Sequence, residues 1–189
     1  PWPLHYPKNV LWDQTFKPEP HSALLDAAAR NRGGLTCTNF LGCKMTYAEI
    51  ARASEKVAAG LQKIGVKKGT KVGLFLPNCP TFIIYYYGIL KAGGIVVNYN
   101  PLYTLEELSF QVKDSETELM VTLDLKLLFD KIEGLLANGA LKKAVVCPFT
   151  SLLPGAKSVL FKLVKGKELA RPMASAQKKN IVLEGDLIS

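Results

Sequence analysis

Short, almost wholly apolar runs alternate with longer stretches of helical periodicity between residues 46 and 147 of this 189-residue chain. The apolar runs cover residues 72–76, 95–97, 119–123 and 144–147. A strand without polar alternation is typical of a parallel sheet that is covered on both faces, and the helices between the strands supply the crossovers. The order β-α-β-α-β-α-β therefore predicts the α/β class, with a predominantly parallel sheet flanked by helices on both faces.

Two pairs of residues mark helix starts by their spacing. Thr46 with Glu49, and Thr104 with Glu107, each fit the capping box. In this motif the Thr hydroxyl and the Glu carboxylate accept hydrogen bonds from backbone N–H groups that the first helical turn leaves free. Helices are therefore predicted to begin directly after Thr46 and Thr104.

Three further helices are predicted from single residues at their starts. Ser22 is a candidate N-cap for a helix that runs to Arg30, and Asp124 for a helix that runs to Leu136. Pro80 suits the first turn of a helix that ends near Ala92, because the proline lacks only an N–H that would be unpaired there.

The region before residue 46 is different in kind. Residues 1–20 are rich in proline, which predicts an extended arm, and Trp2 and Trp12 are the expected docking residues of that arm. Residues 35–47 are predicted to form a small hairpin that turns at Gly42. We therefore divide the chain into the arm (1–20), an α/β body (21–147), a partly helical basic segment (148–179) and the beginning of a following segment (180–189).

No apolar stretch is long enough to span a bilayer, and the start at Pro1 shows no signal-peptide pattern. The expected location is the cytoplasm, with peripheral contact at the inner face of the membrane as an extension. The absence of an initiator Met and the end at Ser189 favour a piece of a longer protein.

The net charge of +8 is concentrated in one part of the sequence. Residues 141–179 contain nine Lys or Arg side chains and a single acidic residue, Glu168, whereas residues 1–140 are nearly balanced with 15 basic and 13 acidic side chains. A nearly neutral body followed by a basic stretch indicates a local anionic partner.

Two interpretations of the basic segment remain open. In the first, the segment contacts an anionic membrane surface through a helical stretch, with Lys157, Phe161, Lys162 and Lys165 as the contact residues. In the second, it is a solvated linker without a ligand. Nucleic acid is not the expected partner, because no aromatic interleaving or groove-reading motif accompanies the charge.

The sequence contains no residue pattern to which catalysis or cofactor binding can be assigned. There is no glycine-rich phosphate loop and no nucleophile elbow. The four cysteines, none in a C-x-x-C pair, are expected to be buried free thiols, with a Cys37–Cys43 disulfide as the alternative in an oxidising compartment, so no metal site is expected. A core-sized α/β piece without its ligand loop is expected to be part of an enzyme.

Four stretches agree in order and spacing with the early motifs of a known family. They are Met-Thr-Tyr-Ala-Glu-Ile (45–50), Gly-Val-Lys-Lys-Gly-Thr-Lys-Val (65–72), Leu-Pro-Asn (76–78) and Gly-Ile-Leu-Lys-Ala-Gly-Gly (88–94). These stretches resemble the adenylate-forming acyl-CoA synthetases. Residues 98–108, Asn-Tyr-Asn-Pro-Leu-Tyr-Thr-Leu-Glu-Glu-Leu, are similar to the long-chain fatty acid:CoA ligases in particular. The resemblance extends from residue 24 to the C-terminus and implies the N-terminal, Rossmann-like subdomain of such an enzyme.

The resemblance implies ATP, Mg²⁺ and coenzyme A as cofactors of the full-length enzyme, and a long-chain fatty acid as its substrate. The phosphate loop and the catalytic lysine of the family would lie downstream of Ser189, so no cofactor is expected to bind this chain alone and no catalytic residue is carried over. The loop residues Asn98, Asn100, Pro101, Tyr103 and Thr104 are expected to be mainly structural, with a contact of Tyr103 to the acyl or nucleotide group as the alternative.

Two further expectations concern partners. The proline-rich arm could reach a neighbouring subunit, which would give a homodimer. A different class of function is a non-catalytic α/β module that binds a membrane surface or a protein.

Overall fold

The computed structural model describes residues 5–7, 9–10 and 13–189. Trp2 and Trp12, the predicted docking residues of the arm, lie outside the described residues. The helices are α1 (Ala23–Arg32), α2 (Tyr47–Lys63), α3 (Pro80–Lys91), α4 (Leu105–Ser115), α5 (Lys126–Ala137), α6 (Gly155–Lys165) and α7 (Glu184–Leu187). The strands are β1 (Thr36–Phe40), β2 (Cys43–Thr46), β3 (Lys71–Leu74), β4 (Ile95–Asn98), β5 (Leu119–Leu123), β6 (Lys143–Cys147) and β7 (Ile181–Leu183).

Five strands form a parallel sheet in the order β4-β3-β5-β6-β7. The connection from β3 to β4 runs in one direction along the sheet, whereas those from β4 to β5 and from β5 to β6 run in the other. Since such crossovers are right-handed, α3 lies on one face together with α2, and α4 and α5 lie on the opposite face. The predicted α/β class with helices on both faces is confirmed.

The strand that lies in the middle of the sheet is β5, and all five of its residues are buried. The largest fully buried side chains come from the helices and strands on both sides of it, including Tyr85, Ile89, Leu108, Ile132 and Leu135. Three of the four apolar runs therefore belong to the interior strands β3, β5 and β6, as their lack of alternation indicated. The fourth, residues 95–97, belongs to the edge strand β4, where Ile95 is exposed.

Both capping boxes form. The Thr46 hydroxyl accepts a hydrogen bond from the Glu49 N–H while the Glu49 carboxylate accepts from the Thr46 N–H, and Thr104 and Glu107 form the same reciprocal pair. These contacts fix the starts of α2 and α4 where the sequence predicted them.

One of the two single-residue caps was wrong. Ser22 occupies the N-cap position of α1 as predicted, although its side chain makes no cap hydrogen bond. Asp124 does not cap α5: Leu125 occupies the N-cap position, and the Asp124 carboxylate accepts the N–H of Phe149 at 2.6 Å instead. A short acidic side chain at a strand end can reach a neighbouring loop as easily as the next helix, and here the loop after β6 is the partner.

The hairpin of β1 and β2 turns at Leu41 and Gly42, as predicted. Both residues have positive φ, 53° and 98°. A two-residue turn of this kind requires positive φ at both positions, which glycine adopts without strain. The hairpin stands beside α1, whose Leu25 packs with Ile50 of α2 in a small second core.

Residues 180–189, expected to begin a following segment, add a fifth strand to the same sheet. β7 pairs with β6 in parallel, and α7 then packs on α2 at Gly60. A Cβ atom at position 60 would lie 2.1 Å from the carbonyl oxygen of Leu187, so only glycine allows this approach.

All four cysteines are free thiols. Cys79 and Cys147 are buried, while Cys37 and Cys43 in the hairpin are half-buried and are not joined to each other. The described residues include no helix that is long and apolar enough to cross a membrane.

The basic segment contains α6 and three short 3₁₀ turns, at Gly166–Glu168, Pro172–Ala174 and Lys178–Asn180. In contrast to the other long helices, α6 has no buried residue. A fourth turn, Phe149–Leu152, joins the end of β6 to this segment and places Thr150 and Leu152 in the interior.

Candidate functional site

The parallel strands end at one edge of the sheet, which we call the carboxyl edge. Ligands of open α/β sheets bind in the crevice at this edge, so it is the candidate site here. Four parts of the molecule meet there: the loop after β4, an apolar cavity beside α3, a buried polar cluster beside β6 and β7, and the basic segment.

The loop of residues 98–104 is held by contacts within itself and with the two helices that follow it. The Asn100 side chain accepts the Leu102 N–H at 3.0 Å, and the Asn100 carbonyl accepts the Tyr103 N–H at 3.0 Å. The Asn98 carbonyl accepts a hydrogen bond from the Gln111 side chain of α4 at 3.0 Å. Each of these bonds satisfies loop backbone that would otherwise be unpaired.

Lys131 of α5 also holds this loop in place. Its ammonium group donates to the Tyr103 carbonyl at 2.6 Å and lies 3.4 Å from the Pro101 carbonyl. It also lies 5.8 Å from the centre of the Phe75 ring. The Tyr103 ring is half-buried against the main core. The five predicted loop residues thus lie together, and they are held by contacts within the loop and with α4 and α5.

A cavity of about 300 Å³ opens between the hairpin and the amino end of α3. Its lining carries no charged side chain, and consists of Thr38, Asn39, Phe40, Asn78, Cys79, Pro80, Phe82 and Ile83. The Thr38 hydroxyl is buried beside it without a hydrogen-bond partner among the described residues. The cavity can hold a small uncharged group, with neutral polar contacts available from Thr38, Asn39 and Asn78.

A buried polar cluster lies where β6 and β7 end. It consists of the Cys147 thiol, the Tyr85 hydroxyl of α3 and the Glu184 carboxyl at the start of α7. Burial raises the pKa of the Glu184 carboxyl, and the nearby thiol and hydroxyl offset only part of that effect. The pKa values of the Cys147 thiol and the Tyr85 phenol are raised well above their usual range, chiefly by burial.

Tyr85 illustrates how tightly this cluster is enclosed. Its hydroxyl faces Cys147 and Glu184 but has no partner of ordinary hydrogen-bond geometry among the described residues. A thiol and a phenol whose pKa values are raised stay neutral at physiological pH. The cluster therefore offers neither a thiolate nucleophile nor a phenolate base.

The residues predicted to contact lipid are distributed over two sides of α6. Lys157 donates to the Leu41 carbonyl in the hairpin turn at 2.8 Å, and the Phe161 ring packs on Phe149 with a centroid distance of 5.0 Å. Lys165 forms an ion pair with Glu168 at 3.1 Å. Lys162 lies in a cleft between α6 and the amino end of α5. Lys157 and Phe161 therefore attach α6 to the body, whereas Lys162 and Lys165 are exposed.

The residues present do not fit the nucleotide or magnesium that an adenylating enzyme needs. The helices after β3, β4 and β5 begin behind Cys79, Thr104 and Leu125, none of them at a glycine-rich turn that could hold phosphate. In the described ranges, no group of three or more His, Cys, Asp or Glu side chains could hold a metal ion.

Sequence reasoning missed Lys131 and Glu184. Lys131 is an ordinary polar position of an amphipathic helix, and nothing in its spacing shows that a loop carbonyl lies within reach. Glu184 follows a three-residue strand that was too short to recognise. Its apolar run, Ile181–Leu183, was the one available signal.

A family model described as "AMP-binding enzyme" matches residues 25–181 of the chain. Among curated proteins, the long-chain-fatty-acid–CoA ligase of Bacillus subtilis (strain 168) is 34% identical over 169 residues, which cover 89% of this chain and 30% of the relative. The ligase of the same description from Escherichia coli O6:H1 is 37% identical over 125 residues, covering 64% of this chain and 22% of the relative. The chain thus spans less than a third of the length of these relatives.

A solved long-chain-fatty-acid–CoA ligase from Archaeoglobus fulgidus superposes with a TM-score of 0.63 at 24% identity. The match covers 73% of this chain and 29% of the solved one. At this identity the superposition supports the fold alone. Since the family model covers most of the sequence, the chain belongs to the AMP-binding enzyme family, and it is similar to the N-terminal part of the long-chain-fatty-acid–CoA ligases.

Proposed function

We propose that this chain is the N-terminal part of a ligase that joins a long-chain fatty acid to coenzyme A at the expense of Mg-ATP. The full-length enzyme would form an acyl-adenylate, release pyrophosphate and transfer the acyl group to the thiol of coenzyme A. The observation that carries the proposal is the 34% identity to the Bacillus subtilis ligase across 169 residues.

The lengths of the sequence matches support the long-chain branch over other acyl-CoA ligases. A 4-coumarate–CoA ligase from Humulus lupulus is 40% identical, but only over 79 residues that cover 42% of this chain. The match to the Bacillus ligase is twice as long. Fatty acid is therefore the better substrate proposal than an aromatic acid.

The role proposed for this chain is architectural. Lys131 and the Asn100 turn hold the loop after β4, and the cavity beside α3 offers an uncharged wall at the same edge of the sheet. The proposed location is the cytoplasm, and the proposed oligomer is a homodimer whose arm, residues 1–20, reaches the partner subunit. Deletion of the arm should then shift the full-length protein from dimer to monomer in sedimentation.

The decisive test is a ligase assay with palmitate, Mg-ATP and coenzyme A on this chain and on the longer protein from its gene. Activity is expected in the longer protein alone. The same assay with 4-coumarate is the control for substrate class, and a preference for 4-coumarate would contradict the long-chain proposal.

Calorimetry with Mg-ATP tests whether the nucleotide site lies outside this chain. This chain should show no binding above background, because it has no phosphate-binding loop. Micromolar affinity would show that a nucleotide site exists within these 189 residues.

A further inference from the structure

An open cleft of about 790 Å³ lies between the amino end of α5 and the turn that follows α6. Four of its lining side chains are cationic: Lys126, Lys162, Lys167 and Arg171. Three of them, Lys162, Lys167 and Arg171, lie within ten residues of one another, and the fold adds Lys126 from the start of α5. We call this feature the basic cleft.

The four cations of the basic cleft are not neutralised by neighbouring carboxylates. None of them forms an ion pair with a residue that the structure describes. Asp124 experiences the charge of Lys162, but its carboxylate is half-buried and accepts the Phe149 N–H. Glu168 is paired with Lys165, outside the lining of the cleft. The cleft therefore keeps an excess of positive charge that suits a phosphate group.

An exposed aliphatic surface borders the same cleft. Leu163 and Val164 line it, and their exposed fractions are 79% and 71%. Val159 and Leu160 continue this surface one turn earlier and are also exposed. Four exposed aliphatic side chains on one helix that has no buried residue form a surface that water solvates poorly.

We propose that the basic cleft binds the phosphate of an anionic phospholipid while the exposed aliphatic surface of α6 enters the membrane interface. Basic residues beside exposed aliphatic side chains on one helix are the arrangement by which a helix lies on a bilayer of anionic lipid. Lysine and arginine near such a surface gain attraction from its negative potential, which acts within a Debye length.

The contacts that α6 makes with the rest of the protein determine which of its sides faces the lipid. Lys157 and Phe161 attach the helix to the hairpin turn and to Phe149, so they point toward the protein body. Leu163 and Val164 are left on the outer side with the basic cleft. The lipid-contact set predicted from sequence is thereby changed: Lys162 stays, while Lys126, Lys167 and Arg171 take the places of Lys157, Phe161 and Lys165. Lys165 is paired with Glu168 and lies outside the lining of the cleft.

The test is co-sedimentation of the 189-residue chain with vesicles of phosphatidylcholine that contain one-third phosphatidylglycerol. The variant Lys126→Gln, Lys162→Gln, Lys167→Gln and Arg171→Gln should lose affinity by about tenfold or more. The matched control removes the same number of charges from exposed lysines of the body by Lys44→Gln, Lys56→Gln, Lys68→Gln and Lys113→Gln, and should lose about threefold or less. Equal losses in the two variants would overturn the proposal.

The aliphatic part of the proposal is tested separately. Leu163→Gln with Val164→Gln should weaken vesicle binding several-fold, whereas Leu102→Gln with Phe110→Gln, which changes two exposed apolar residues elsewhere, should not. Circular dichroism establishes that each variant is folded. Unchanged binding of the Leu163 and Val164 variant would contradict the membrane orientation.

Inorganic phosphate distinguishes a lipid site from a site for free phosphate. Vesicle binding should survive phosphate at an ionic strength matched with chloride, because the aliphatic contact adds to the phosphate contact. If phosphate binds the cleft while the chain fails to sediment with vesicles, the cleft is a free-anion site and the membrane proposal is wrong. These measurements need no turnover, so their outcome is independent of the proposed ligase activity.

Discussion

The α/β body and the basic segment differ in how their helices are held in place. In the body, each strand of the sheet is covered by helices, and side chains such as Leu135 and Ile132 are completely buried. In the basic segment, α6 buries nothing and is attached through Lys157 and the Phe161 ring. Burial therefore determines the conformation of the body, whereas a few contacts determine where α6 lies. Substitutions should destabilise the two regions to very different extents.

The largest difference is expected for the same substitution in the two regions. Leu135→Ala removes a fully buried side chain of α5 and should lower the free energy of unfolding by about 3 kcal/mol, because a cavity remains. Leu163→Ala on α6, at 79% exposure, should change it by less than about 0.5 kcal/mol. Urea denaturation followed by circular dichroism measures both, and similar losses would show that α6 is packed against a surface.

A pair of glycines gives the next largest contrast. Gly60→Ala places a Cβ atom against the Leu187 carbonyl and should destabilise the protein by about 2 kcal/mol, since α7 must move. Gly166→Ala, at the end of α6, meets no atom within 4 Å and should be neutral within about 0.5 kcal/mol. Thermal melting compares the two. A neutral Gly60→Ala would mean that α7 does not pack on α2 in solution.

The smallest expected effect is on the pH dependence of stability. Burial raises the pKa of Glu184 above its ordinary value of 4.5, so the native state holds this proton more tightly than the unfolded chain. The contribution of Glu184 is therefore fully present below pH 4.5 and is lost as pH rises through the folded pKa. Glu184→Gln should remove this decline, which urea denaturation at a series of pH values between about 2 and 8 measures.

Glu116 is the opposite control for that measurement. Lys71 lowers the pKa of this exposed carboxylate, so its contribution is present above pH 4.5 and is lost on acidification. Glu116→Gln should therefore reduce the loss of stability on acidification, whereas Glu184→Gln should reduce the loss of stability as the pH rises. If both substitutions change the slope in the same direction, the burial of Glu184 is not what raises its pKa.

Patterns that depend on neighbours in sequence were predictable, and contacts between distant residues were not. The capping boxes at Thr46 and Thr104 and the turn at Gly42 formed because each involves residues no more than three positions apart. Asp124 had two partners within reach of its carboxylate, the next helix and the loop after β6. The tertiary position of Phe149 decided between them, and no local pattern encodes it.

In the candidate site, too, the local motif was predictable and the contacts between distant residues were not. The loop of residues 98–104 was identified by a resemblance that covers a continuous motif. The basic cleft was not, because Lys126 is separated from Arg171 by two helices and a strand, and only the fold brings them to one surface. Local charge counting found the excess on residues 141–179, but it did not include Lys126 and did not show that Lys157 and Phe161 contact other parts of this chain.

The approach of α7 to α2 at Gly60 has a consequence for synthesis on the ribosome. Lys63 at the end of α2 donates to the Ser189 carbonyl, a contact across 126 positions of the chain. Strand β7, which completes this edge of the sheet beside β6, is the last of the five to leave the exit tunnel. Until then the outer edge of β6 is unpaired and the surface of α2 at Gly60 is uncovered, so contacts that close late leave a nascent chain exposed to aggregation. Chaperone dependence during translation should therefore fall when residues 181–189 emerge.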